Sequence, residues 1–310
     1  MAFDVLEITR QIAALGDDMS PDVIAASQAI YAPFHEQEPY GAGRVRVRRD
    51  ASYGPHERHR LDVFEPEDGA PSGGARPVVV FVHGGGFVRG DKHTPGTPYN
   101  DNVALWAVRH GLVGVNMTHR LAPDFPWPAG AEDVAAAVAW VRAHAGEHGG
   151  DPGRVYLMGT SAGASHAAAY VAQRAFHPAD GPGLAGVVLL SGVYDLTAFA
   201  AEERAVAYYG PDAEQYAERS SIQGLLDEQV PALFVIAELD PPRFADQALR
   251  LLNAYVKRHG HWPRLLRLLG HNHFTATLHL NTPDDSLGRH LLAFVDSTSG
   301  AGRLATGAAP

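Results

Sequence analysis

Met158-Gly159-Thr160-Ser161-Ala162-Gly163 follows a short apolar run and opens an alanine-rich stretch. Its Gly-x-Ser-x-Gly spacing predicts a sharp strand-to-helix turn that exposes a serine hydroxyl at the helix N-terminus. Such a turn requires small neighbours, and Gly159, Ala162 and Gly163 supply them. Upstream, the apolar run 78–82 ends in His83-Gly84-Gly85-Gly86-Phe87. Three consecutive glycines let the backbone approach a substrate carbonyl closely. A phosphate cradle would need a Lys-Ser/Thr pair or a Gly-x-Gly-x-x-Gly helix opening, and neither follows. In this order, each behind a predicted strand, the two segments point to acyl transfer. Ser161 is the expected nucleophile, and the N–H groups of Gly85, Gly86 and Ala162 are the expected oxyanion donors. His83 is expected to orient the loop rather than act as a base.

Working outward, strand-like runs are expected at 45–48, 61–64, 77–82, 112–117, 155–158, 187–190, 232–237 and 265–269. The later runs are apolar on both alternations, as in parallel strands covered on both faces. Helix-like stretches at 100–110, 131–144, 162–176 and 244–259 alternate with them. This rhythm predicts one doubly wound, mostly parallel α/β sheet. Residues 1–40 read as two short helices, with Ser20-Pro21-Asp22 opening the second. They are expected to form an N-terminal cap segment ahead of a main domain at 41–296. Residues 197–229 interrupt the rhythm and are a candidate cap insertion. Residues 297–310, rich in Gly, Ala, Ser and Thr, are expected to form a disordered tail.

A serine needs a base, and a base needs an acid to orient it; in such turns the chain order is serine, acid, histidine. The run 233–237 leads into Glu238-Leu239-Asp240-Pro241-Pro242. Asp240 is the preferred acid because two prolines stop the strand behind it; Glu238, nearer the strand, is the rival. After the last strand comes Gly270-His271-Asn272-His273-Phe274. His273 is preferred as base over His271 because it stands where the next helix begins. His271, His273 and His279 could also suggest a metal, but no carboxylate pattern accompanies them, so no metal and no cofactor are expected.

Among its 310 residues, 45% are hydrophobic and 19% charged, a globular composition. The formal charge of −10 argues against nucleic acid or an anionic membrane as partner. With no cysteine, disulfides and thiolate catalysis are excluded. Asp4 and Glu7 break the apolar N-terminus, so no signal peptide is expected, and no run spans a bilayer. The expectation is a cytoplasmic protein, with a homodimer as the candidate assembly.

The sequence resembles the α/β-hydrolase superfamily, specifically the hormone-sensitive-lipase-like esterases whose serine turn reads Gly-Thr-Ser-Ala-Gly. The supporting segments are His83-Gly84-Gly85-Gly86-Phe87, Arg120-Leu121-Ala122-Pro123, Pro126-Trp127-Pro128-Ala129 and Glu132-Asp133-Val134. Tyr53-Gly54, Leu61-Asp62-Val63-Phe64 and Ser191-Gly192-Val193-Tyr194-Asp195-Leu196 look like the arylformamidase-type small-ester branch. The resemblance implies an eight-stranded α/β-hydrolase sheet with a small helical cap and a Ser161-His273-Asp240 triad. The implied activity is a serine carboxylesterase acting on small to medium acyl esters. An amide, formamide or carbamate substrate stays open, and a non-catalytic binding protein is the remote alternative. Phe87, Trp127, Phe34 and Tyr208 are candidate pocket residues, Phe125 has a choice between pocket and core, and Asp195 is expected to cap a turn.

Overall fold

The structure, a computed structural model, describes residues 3–38, 40, 44–67, 74–198 and 203–299. Its strands are β1 (Val45–Ser52), β2 (Arg60–Pro66), β3 (Arg76–Val82), β4 (Val113–Met117), β5 (Gly150–Thr160), β6 (Gly186–Leu190), β7 (Ala232–Leu239) and β8 (Arg264–Asn272). They form one sheet in the order β1-β2-β4-β3-β5-β6-β7-β8. The β1–β2 and β2–β4 pairs are antiparallel, and every later pair is parallel. This is the α/β-hydrolase architecture.

Side-chain alternation explains why the central runs 78–82 and 155–158 are apolar on both faces. On β3, Val78, Val80 and Val82 enter one core, while Val79 and Phe81 enter the other. On β5, Val155 and Leu157 take the first face, and Tyr156 and Met158 the second. The first core is closed by α4 (Ala129–His144) and α5 (Ala162–Ala172), through Val134, Val138, Val141, Ala164, Ala167 and Ala168. The second is closed by α3 (Asp101–Arg109) and α11 (Gly288–Ser299), through Val103, Trp106, Leu291 and Phe294. The remaining large helix, α9 (Pro242–His259), adds Leu251 to the first core.

The N-terminal stretch folds as α1 (Val5–Leu15) and α2 (Pro21–Tyr31). Ser20 Oγ accepts from Val23 N–H at the start of α2, whose first residue is Pro21. Ile8, Ile12 and Tyr31 pack with Leu278 of the short helix α10 (Thr275–Leu278). Between β6 and β7 lie α6 (Glu203–Tyr209), α7 (Tyr216–Arg219) and α8 (Ile222–Asp227). Helix α11 continues through Ser299, so 297–299 are helical rather than part of a tail; residues 300–310 lie outside the described residues. No helix among the described residues is long and apolar enough to cross a membrane.

The face assignment is checked by a pair of truncations. Leu157 is 0% exposed in the centre of the sheet, whereas Leu269 on edge strand β8 is 63% exposed. In denaturant unfolding, Leu157→Ala is expected to lose about 2–5 kcal/mol of stability. Leu269→Ala is expected to change it by less than about 0.5 kcal/mol.

Candidate active site

Ser161 sits between β5 and α5 with φ 54° and ψ −123°, a conformation that L-residues rarely adopt. Its N–H donates to Leu190 C=O at 2.9 Å, anchoring the turn to β6. The small neighbours are required by close backbone approach. A Cβ on Gly159 would fall 2.4 Å from the Gly163 carbonyl oxygen, and one on Gly163 2.2 Å from that of Val82. Helix α5 therefore begins directly against the end of β3. Ala162, its first residue, has no intrahelical acceptor for its N–H.

The glycine loop leaves β3 beside this turn. Gly85 has φ 138°, and a Cβ there would collide with the Arg89 carbonyl oxygen at 1.9 Å; only glycine fits. Behind the loop, His83 stacks on His119 at 4.4 Å, and His119 meets His166 edge-on at 4.6 Å. All three rings are fully buried, and burial, before any other cause, pushes each below the usual histidine range. His83 is thus a neutral ring in the wall of the loop, with Nδ1 2.7 Å from Gly84 C=O.

The expected acid and base arrive from the next strand ends. Asp240 follows β7, and its Oδ1 lies 2.7 Å from His273 Nδ1. Asp240 Oδ2 accepts from Ser191 Oγ at 2.5 Å and from Ala237 N–H at 2.8 Å. Three donors thus fix this buried carboxylate, and His273 is oriented by it with its ring stacked on Phe244 at 4.4 Å. The rivals have other partners. Glu238 accepts from Gly270 N–H and pairs with Arg267. His271 Nε2 lies 2.9 Å from Ser286 Oγ. Ser191, with φ 48°, is a participant that the sequence reading missed; a lone serine after a strand carries no local signal. Of the six non-glycine residues with positive φ among those described, Phe87, Asn100 and Ser161 line the cavity and Ser191 holds Asp240. Backbone strain is concentrated here.

Ser161, His273, Gly85, Gly86 and Ala162 all line one cavity of about 360 Å³. His273 Nε2 has no hydrogen-bond partner among the described residues, so it and Ser161 Oγ are not yet bonded. Such contacts often tighten only when substrate binds. Met19 of the α1–α2 connection and Ile24 and Gln28 of α2 close one side of the cavity, and Arg204 and Ala205 of α6 another. Phe87 lines it. Three other expected pocket residues do not: Phe34 packs with Phe3 in the α1–α2 cluster, Trp127 with Phe176 and Tyr209, and Tyr208 is fully buried on Phe87. Large aromatics are as useful in a core as in a pocket, and their sequence context does not separate the two. Phe125 lies against His56 instead, and Asp195 accepts from Thr197 as a turn cap.

His271 and His279 meet a carboxylate that the spacing did not reveal, Asp284, with ligand atoms within 4.8 Å of one another. The group is a hydrogen-bonded network. Ser286 Oγ lies 2.9 Å from His271 Nε2 and 3.3 Å from His279 Nε2; His279 Nδ1 meets Thr275 C=O; Tyr31 O–H donates to Asp284 at 2.7 Å. It ties α2 to the segment carrying His273.

These buried imidazoles make stability depend on pH. Burial holds His35, His83, His119, His166, His271 and His279 below the ordinary range, His35 at about 4. In the unfolded chain they titrate near 6.5. As pH falls through about 6.5 the unfolded chain gains protons that the native chain refuses, so stability drops. Calorimetry from pH 7.5 to 5 is expected to show a falling Tm with uptake of more than one proton on unfolding; a flat profile would contradict neutral buried rings.

A family profile described as alpha/beta hydrolase fold matches residues 79–273. Esterase LipI of Mycobacterium tuberculosis is 42% identical over 105 residues, 34% of this chain and 31% of the relative. The probable carboxylic ester hydrolase LipM of the same organism is 31% identical over 208 residues, 60% of this chain and 46% of the relative. The chain spans about a third of the length of several curated relatives that it matches. Among solved structures, esterase B from Lactobacillus rhamnosis superimposes with a TM-score of 0.71 at 20% identity, covering 97% of this chain and 98% of that one. An esterase of the bacterial hormone-sensitive lipase family gives 0.64 at 22% identity, covering 96% and 98%. With the profile match spanning more than half of its residues, and the sheet and serine turn described above, this chain belongs to the alpha/beta hydrolase fold family.

Proposed function

We propose that the chain is a serine carboxylesterase acting on small to medium acyl esters. The observation that carries this reading is the 2.7 Å Asp240–His273 pair, whose histidine shares a cavity with the strained Ser161. Ser161 Oγ attacks the ester carbonyl while His273 Nε2 takes its proton. Asp240, held by Ser191 and Ala237 N–H, fixes the Nδ1–H tautomer and stabilises the imidazolium as it forms. The tetrahedral oxyanion is received by N–H groups of Gly85, Gly86 and Ala162; one such donor is typically worth about 3–4 kcal/mol. His273 then protonates the leaving alcohol, and water cleaves the acyl-enzyme by the same route. The relatives' names, esterase and carboxylic ester hydrolase, favour an oxygen leaving group over an amide nitrogen.

The test is steady-state kinetics on p-nitrophenyl esters from acetate to decanoate. Ser161→Ala and His273→Ala are each expected to lower kcat by at least about 10³-fold. Asp240→Asn should lose about 10⁴-fold by imposing the wrong tautomer. His271→Ala should retain turnover but lose stability, because its ring belongs to the Asp284 network. Full activity in Ser161→Ala would overturn the reading, and turnover of an anilide or formamide without ester hydrolysis would replace it with an amidase.

A further inference from the structure

The chain carries a formal charge of −10, yet Arg89, Arg204 and Arg243 line the Ser161 cavity. Among the described residues no aspartate or glutamate joins them in the lining. Arg243 is engaged, donating to Met19 Sδ and lying 5.2 Å from the centre of the Phe244 ring. Arg89 and Arg204 are exposed and form no ion pair or hydrogen bond with a described residue. Arg204 stands over the oxyanion loop: a Cβ on Gly86 would lie 3.0 Å from its Cδ and 3.3 Å from its Nη1. Thus a guanidinium with no counter-charge among the described residues lies a few ångströms from where the reacting carbonyl oxygen is expected. The α5 N-terminus and the loop N–H groups add positive potential of the same sign. The other cavity histidine, His83, is held neutral by burial and contributes no charge.

We propose that the preferred substrate is an ester with an anionic group in its non-reacting portion, held by Arg204, with Arg89 lining the same cavity. This rests on the esterase reading above. A carboxylate a few bonds from the scissile carbonyl would meet the Arg204 fork while the carbonyl oxygen enters the oxyanion donors. Guanidinium suits this task because it presents paired donors to a planar anion. A neutral ester gives that cation no charge to meet, so the discrimination is electrostatic and falls with salt.

The experiment compares matched substrates by proton release in the wild-type enzyme. Monomethyl glutarate against methyl valerate places the charge on the acyl side; 4-butyryloxybenzoate against phenyl butyrate places it on the alcohol side. At low ionic strength at least one charged member is expected to exceed its neutral partner about tenfold in kcat/KM, mainly through KM. The ratio should shrink in about 0.5 M salt. Arg204→Gln should reduce that ratio severalfold, and Arg204→Lys should retain part of it. Which pair responds identifies the side of the ester that bears the charge. Ser161-dependent hydrolysis of the neutral esters with no preference in either pair would overturn this inference and leave the esterase standing. No hydrolysis of any ester by the folded protein would overturn both.

Discussion

The backbone of Ser161 is the constraint on which the site depends. A non-glycine residue at φ 54°, ψ −123° persists only where its surroundings over-determine it. Here they do so from three sides. Leu190 C=O receives its N–H, Gly163 brings α5 against the Val82 carbonyl, and Gly159 lets that helix start without a clash. Because β3, β5 and β6 are neighbours in the sheet, the same contacts fix the glycine loop beside the serine.

The parallel half of the sheet then delivers the remaining groups in order. β6 leads to Ser191, β7 leads to Asp240, and β8 leads to His273, so adjacent strand ends place adjacent partners. The N-terminal helices are part of this arrangement. Tyr31 reaches Asp284, Ser27 Oγ accepts from Asn272 Nδ2, and His35 meets Leu278 C=O, binding α2 and the turn after it to the segment that holds His273. Helix α2 therefore both supports the segment carrying His273 and supplies cavity wall through Ile24 and Gln28.

Much of the fold was legible because strands buried on both faces must be apolar at every position, which marks 77–82, 155–158 and 187–190 in the sequence. The serine turn and glycine loop were legible because close backbone packing admits only small residues there. Asp240 and His273 were singled out by their place after late strands, and the fold brings them to 2.7 Å. What was not legible depends on distant contacts. Phe34, Trp127 and Tyr208 are aromatic for packing, and nothing local distinguishes that from lining a cavity. Asp284 joins His271 and His279 through a loop with no periodic pattern, and Arg204 reaches the glycine loop from a helix more than a hundred residues away.

The central claim is that Ser161 is an activated nucleophile. Its most direct test is stoichiometric labelling with an alkyl p-nitrophenyl phosphonate, read by intact-protein and peptide mass spectrometry. The account predicts one phosphonyl group per chain, located on the peptide containing Ser161, with p-nitrophenol released in equal amount. Folded protein that stays unmodified, or carries the label on another residue, would contradict it.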